Sequence, residues 1–219
     1  MAVAALKQCE ESDLDLARIN DDLAGASAQE IVHWALGLGM RAFATTSFGP
    51  NSAVMLHLLS SIDPDIPIVW IDTGYNLRDT YQVADQLINS LPLNLRVYTP
   101  QMTAERWNVV NGGVPQLDEP KLHEEFTRKI KLEPFQRALE DIAPDLWLTG
   151  IRKEETAYRR DLDIVSCDNR GLLRVAPIFN WSDADVEDYM ATHGLPSCRQ
   201  YFDPTKVSAN RECGLQTGA

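Results

Sequence analysis

Near the N-terminus apolar residues recur at helical spacing, and further on the rhythm changes to short, nearly unbroken apolar runs. Residues 12–23 predict one helix. A second begins at Ser27, with Glu30 at the capping-box spacing and Ile31, Trp34, Ala35 and Leu38 on one side. The runs RAFATTS (41–47), IPIVWID (66–72), NLRVYTP (94–100) and DLWLTGI (145–151) suit buried strands. Helical periodicity separates them over 52–62, 77–91 and, as one longer stretch, 121–142. This alternation predicts an α/β fold, a mostly parallel twisted sheet with helices on both faces. Ligands in such sheets bind beyond the carboxyl ends of the strands. No repeat, low-complexity tract or linker divides the chain, and apolar periodicity fades from about Pro196. The expected organisation is one α/β domain over 1–195, N-terminal helices included, followed by an arm over 196–219.

Composition changes this picture little. With 219 residues, 44% hydrophobic and 24% charged, the chain can bury a substantial core. MAVAALKQCEESDLDL lacks the charged start and apolar run of a signal peptide, and no stretch reaches the length of a membrane span. The expectation is a cytoplasmic protein with no membrane partner. A net charge of −12 argues against coating nucleic acid through an overall field. The basic residues are uneven, however: half of the 20 lie between Arg128 and Arg174. Such a concentration makes either solvated helix faces or a pocket for a small, highly charged anion.

The four cysteines, Cys9, Cys167, Cys198 and Cys213, form no CxxC pair and no zinc or iron–sulfur spacing, so no metal is expected. Cys9 reads as incidental and Cys167 as a strand-end packing residue. Cys198 can resolve a disulfide with Cys213, although nothing in the spacing requires it. His33, His57, His123 and His193 do not cluster along the chain, and His57 in its apolar helix reads as a satisfied core residue.

Three strand ends carry candidate chemistry. After the first comes TTSFGPNSAV (45–54), where Ser47, Gly49 and Ser52 suit a compact turn whose N–H groups, with the next helix, hold a phosphate. The second ends in WIDTGY, placing Asp72, Thr73 and Gly74 at the sheet's mouth. Asp72 suits a ribose hydroxyl or an adenine amino group, or equally a helix cap. The fourth ends in TGIRKEETAYRR (149–160), whose Arg152, Lys153, Arg159 and Arg160 match phosphate or sulfate oxygens. Finally NRECGLQTGA, at the C-terminus, sets Cys213 in a stretch with almost nothing apolar to pack it.

SFGPNSAVMLHL, VWIDTGYNLRDTY, GIRKEETAYRRDL, LLRVAPIFNWSDADVEDYMATHGLP and the terminal RECGL together resemble the 3′-phosphoadenosine 5′-phosphosulfate (PAPS) reductase family of assimilatory sulfate reduction, from about Arg41 to Leu215. The resemblance implies an adenine nucleotide α-hydrolase-like sheet with a modified pyrophosphate loop. It makes Cys213 the nucleophile, which takes the sulfonate and passes it to thioredoxin, or glutaredoxin, for release as sulfite. It implies a homodimer, no bound cofactor and a place upstream of cysteine biosynthesis. Ser47, Phe48, Gly49 and Ser52 become the phosphate loop, and Asp72, Thr73 and Gly74 line the nucleoside. Lys131, in KIKLEPF, faces the sulfate or phosphate end, Arg152, Lys153 and Arg159 form the cationic motif, and Arg211 adds a charge when the arm closes. Two departures stand out: Gln216 occupies a common histidine position, and SCRQYFDPTKVSAN is shorter than in many members.

Relatives acting on adenosine 5′-phosphosulfate usually hold an iron–sulfur cluster in addition to the nucleophile, which needs five cysteines, and this chain has four, none adjacent. The 3′-phosphorylated substrate is therefore expected, with cluster-free reduction of adenosine 5′-phosphosulfate as the alternative. ATP-dependent ligases and sulfurtransferases of the same fold usually carry SGGxDS, which SFGPNS does not match. A non-catalytic nucleotide-binding protein has no evident use for ECG on an arm.

Overall fold

The computed structural model describes residues 14–116, 118–206 and 215. The chain opens with α1 (Leu16–Leu23), which starts after Asp15, whose carboxylate accepts from the Arg18 amide at 3.2 Å. Helix α2 (Ala28–Gly37) carries the expected reciprocal box between Ser27 and Glu30. The expected strands appear as β1 (Ala42–Thr46), β2 (Pro67–Ile71), β3 (Asn94–Tyr98) and β4 (Leu146–Leu148), trimmed at both ends except β3, which begins where expected and ends two residues early. Between them lie α3 (Ser52–Ile62), α4 (Arg78–Ser90), α5 (Ala104–Asn111), α6 (Pro120–Thr127) and α7 (Glu133–Ile142). Beyond β4 follow a single-turn α8 (Ala157–Arg160), β5 (Val165–Cys167), β6 (Leu173–Val175) and α9 (Asp183–His193).

The stretch expected as one helix over 121–142 is two, joined by a π-helical turn over Arg128–Leu132. Pro134 explains the break. It has no amide hydrogen, and its ring collides with the carbonyl four residues back, so the α-helical ladder cannot run through it. The backbone widens instead, and the Glu133 amide reaches the Arg128 carbonyl. Lys131 sits in this widened turn and is buried.

The six strands run in the order β3-β2-β1-β4-β6-β5. All neighbours are parallel except β5, which pairs antiparallel with β6. Alternate residues feed two cores. Ala44, Ile68, Trp70, Leu146, Leu148, Leu173 and Val175 join α2, α3, α4 and α9 in the larger one. Phe43, Val69, Ile71 and Trp147 pack with Phe135 and Ala138 of α7 on the opposite face. There the Phe43 and Phe135 rings lie 5.9 and 5.6 Å from Trp147.

The chain leaves β1 for β2 on one side and returns to β4 on the other. That reversal opens a crevice above the carboxyl ends of β1 and β4. Among the described residues no helix is long and apolar enough to cross a membrane.

Candidate functional site

A cleft of about 380 Å³ occupies this crevice, within the size range of small-molecule sites. Its floor is the β1–α3 loop. Phe48 there holds a left-handed φ of 49°, a conformation that costs a non-glycine residue of order 1–3 kcal/mol. The packing of its ring offsets that cost: it is fully buried, edge-on to Trp70 at 4.9 Å. The Phe48 amide donates to Thr46 Oγ1 at 3.1 Å and the Gly49 amide to Ser47 Oγ at 3.4 Å. Phe48 thus anchors the loop from below, while Ser47, Gly49 and Ser52 line the cleft, the two serine hydroxyls 3.5 Å apart. Asn51 caps α3 without a side-chain hydrogen bond. Asn51 and Ser52 both reach the lining, so the positive end of the helix dipole meets the cleft.

At the end of β2, Thr73 lines the cleft together with Asn76, while Asp72 and Gly74 do not. Asp72 Oδ1 accepts from the Gly74 amide at 3.1 Å, Asn76 Nδ2 at 2.9 Å and the Tyr81 hydroxyl at 2.8 Å. Burial, with the Asp72 hydrogen bond added, pushes the Tyr81 phenol up to about 12. Gly74 has φ +77°, and a Cβ there would lie 3.2 Å from that of Ala104.

At the end of β4, Thr149, Gly150 and Ile151 line the cleft, and Arg159 reaches it from α8. Arg152 and Lys153 are absent from the lining. The buried Arg152 guanidinium donates to Asp183 at 2.7 Å and to the Trp181 carbonyl at 3.2 Å. Lys153 donates to Asn180 at 3.0 Å. These two cations tie the strand end to the start of α9. Arg159 pairs with Glu155, whose carboxylate also accepts from the Arg152 amide at 3.0 Å.

The roof is the first part of the arm. Ser197 Oγ donates to the Pro50 carbonyl at 3.1 Å, and the Arg199 and Gln200 amides donate to Asp79 at 2.5 and 3.0 Å. Tyr201 lies across the β1–α3 loop, close enough that a Cβ on Gly49 would sit 3.3 Å from its ring. Lys131 Nζ then meets Asp203 Oδ2 at 2.5 Å and Thr205 Oγ1 at 3.4 Å. Burial pushes the Asp203 carboxyl up, but the Lys131 charge and the hydrogen bonds from Lys131 and Thr205 outweigh it and hold the group below its ordinary value. The sequence reading missed Asp203 and Lys206, both in the lining. The only signal, a charged pair around Pro-Thr in a stretch without periodicity, is weak.

The cysteines depart from expectation in two places. Cys167, at the end of β5, is disulfide-bonded rather than merely packed. Cys198 is a free, buried thiol that donates to the Gln200 carbonyl at 2.9 Å and lies 3.4 Å from Thr80 Oγ1. Burial, the largest influence, pushes that thiol up. Cys9, Arg211, Cys213 and Gln216 lie outside the described residues. Leu215 is described: it lines the cleft, packs in the smaller core, and its carbonyl accepts from Arg170 at 2.9 Å. The histidines also differ from the reading, since the His57 and His193 rings meet, their centroids 4.4 Å apart and their planes tilted by 37°. His57 Nδ1 lies 2.9 Å from the Tyr189 hydroxyl. Among the described residues no group of three His, Cys, Asp or Glu is placed to hold a metal ion.

The architecture has a counterpart in the crystal structure of phosphoadenylyl-sulfate (PAPS) reductase from Candida auris, a phosphate complex. The TM-score is 0.73 at 24% identity over 85% of this chain and 89% of that one. Candida glabrata FMN adenylyltransferase shares the fold more distantly, with a TM-score of 0.54 at 15% identity over 90% of this chain and 63% of that one. In sequence, the chain is 39% identical to phosphoadenosine 5′-phosphosulfate reductase of Synechocystis sp., over 89% of this chain and 78% of the relative. It is 41% identical to that of Vibrio vulnificus strain YJ016, over 84% and 71% respectively. The family model for the phosphoadenosine phosphosulfate reductase domain matches residues 41–204, strand β1 through the arm's Pro204. The chain therefore belongs to the phosphoadenosine phosphosulfate reductase family.

Proposed function

We propose that the protein reduces 3′-phosphoadenosine 5′-phosphosulfate to sulfite and adenosine 3′,5′-bisphosphate, with thioredoxin as electron donor. The observation that carries this reading is the cleft itself. In a family of PAPS reductases, a serine- and glycine-lined loop at a helix N-terminus faces Lys131, Arg159 and Lys206 across the switch point of the sheet. Backbone and hydroxyl donors suit a phosphate, and the cations suit a substrate with several anionic groups.

In this reading Ser47, Gly49 and Ser52 hold the phosphosulfate end, with Phe48 shaping the loop beneath. Thr73 contacts the nucleoside, and Asp72 and Gly74 shape the turn that presents it. Lys131 and Arg159 supply positive charge near the reacting sulfur, Arg211 adds to it from the arm, and Arg152 and Lys153 brace the cationic segment against α9. The Cys213 thiolate attacks the sulfur of the phosphosulfate, and the bond to the bridging oxygen breaks toward adenosine 3′,5′-bisphosphate. The product on the enzyme is an S-sulfonate. A thioredoxin thiolate then attacks Cys213 Sγ and sulfite leaves with the electron pair. The second thioredoxin thiol resolves the mixed disulfide and returns Cys213 as a thiol.

The test is sulfite release from the 3′-phosphorylated substrate with reduced thioredoxin, in the wild type and in Cys213→Ser. Substrate-dependent release that Cys213→Ser abolishes is expected, with a mass gain of one sulfonate on the wild type when reductant is omitted. Equal release by the variant would remove the mechanism, and no release from either would remove the activity.

A further inference from the structure

Five charged side chains among the described residues line the cleft: Lys131, Arg159 and Lys206, with Glu155 and Asp203. Four are already matched within the protein. Lys131 meets Asp203 at 2.5 Å, and Arg159 pairs with Glu155. Lys206 has a backbone bond, its amide donating to the Asp203 carbonyl at 3.0 Å, but its ammonium has no carboxylate partner among the described residues. Among the described residues the lining therefore carries one uncompensated positive charge, in a protein whose net charge is −12. Lys206 is partly exposed, so this ammonium can meet a ligand without the full desolvation cost of a buried charge.

The turn from Asp203 to Lys206 fixes where that charge sits. Asp203 is held on Lys131, Thr205 is hydrogen-bonded to Asp203 through both its amide (3.0 Å) and its hydroxyl (2.7 Å), and Lys206 closes the turn. Lys206 is thus pinned to the roof, while the Ser47–Ser52 loop forms the floor. The floor offers neutral donors and a helix N-terminus, which suit the singly charged oxygens of a phosphosulfate. A phosphate monoester carries between one and two negative charges near neutral pH, so it gains most from a full, unmatched cation.

Resting on the activity proposed above, we infer that Lys206 recognises the substrate's 3′-phosphate and sets the preference for the 3′-phosphorylated nucleotide over adenosine 5′-phosphosulfate. A surface lysine that merely adds to the field around the cleft would favour both substrates alike. A lysine on the 3′-phosphate acts on one of them.

The experiment measures kcat and KM for both substrates in the wild type, Lys206→Gln and Lys206→Arg. Alongside, titration calorimetry gives the affinities of adenosine 3′,5′-bisphosphate and adenosine 5′-monophosphate, which need no turnover. Lys206→Gln is expected to lower kcat/KM for the 3′-phosphorylated substrate by about 10- to 100-fold, the size of a charge-assisted contact. The change falls mostly in KM. Turnover of adenosine 5′-phosphosulfate changes by less than about twofold on the same scale, the affinity ratio of the two product nucleotides falls in parallel, and Lys206→Arg restores most of it. Equal losses with both substrates, no loss with either, or a wild type that binds the two product nucleotides equally would each overturn the assignment. Absence of turnover in the wild type with an intact affinity ratio would overturn the proposed activity and leave Lys206 as a 3′-phosphate contact.

Discussion

Lys131 and Asp203 stand 72 positions apart in the chain and meet at 2.5 Å, joining the π-helical turn before α7 to the arm that roofs the cleft. Both side chains are nearly enclosed, with relative exposures of 10% and 5%. Removing one partner strands the other's charge in a poorly hydrated place, which costs more than the pair itself contributes.

Asp203→Ala is therefore expected to lower unfolding free energy by about 3–5 kcal/mol near neutral pH, as measured by urea denaturation. The pH dependence follows from the depressed carboxyl of Asp203. The stabilisation is fully present above the unfolded-state value near 4 and is lost as pH falls through the lower folded value. The gap between wild type and variant should accordingly narrow in acid. A gap that stays constant down to acid pH would mean the arm is held by packing and not by this pair.

Gly74→Ala addresses the turn after β2. The position has φ +77° and would bring the new Cβ to 3.2 Å from that of Ala104. Left-handed backbone costs a non-glycine residue roughly 1–2 kcal/mol, which in a chain of this size lowers Tm by about 2–8 °C. Differential scanning calorimetry checks this, and an unchanged Tm would show that the turn relaxes without cost.

These two positions show what could be read in the chain beforehand. The tight β1–α3 loop, the Ser27–Glu30 box and the four parallel strands were legible because their signals are local: small residues at a strand end, a side chain three residues from its partner, a run of apolar positions. Asp203 was not, because its meaning lies in a lysine far away in sequence. Phe48 belongs to the loop motif, yet its ring packs beneath the cleft, and only the positive φ explains how. The three-residue strands β5 and β6 are too short to show a period, and α9 buries only Val186, so its helical face leaves little apolar signature. Arg152 and Lys153 sit in the richest cationic stretch, and only the structure reveals that Asp183 and Asn180 engage them.

The His57, His193 and Tyr189 cluster is expected to make stability sensitive to mild acid. Burial first, and the neighbouring His193 second, lower the His57 imidazole from its ordinary 6.5. The unfolded chain then binds the proton more readily than the fold does, so stability falls as pH drops through about 6.5 toward the folded value. His57→Gln should flatten this part of the profile, read as Tm against pH from about 7.5 to about 5. An identical slope in both proteins would assign the acid sensitivity elsewhere.

Cys198 has the surroundings of a structural thiol, which sets it apart from the cysteine proposed as nucleophile. Its sulfur is buried, free and committed to the Gln200 carbonyl, and burial raises its pKa, which keeps it a thiol and a poor nucleophile. Its neighbours on either side are fastened, the Ser197 hydroxyl to the Pro50 carbonyl and the Arg199 and Gln200 amides to Asp79, so the sulfur has little freedom to travel. Cys198→Ala removes one buried sulfur and should cost about 1–2 kcal/mol of stability, while sulfite release with thioredoxin stays within about twofold of wild type. Loss of turnover without loss of stability would give Cys198 a part in resolving the sulfonated intermediate. Retained turnover leaves the chemistry to a cysteine outside the roof segment, and Cys213→Ser, measured beside it in the same assay, should then be the variant that falls silent.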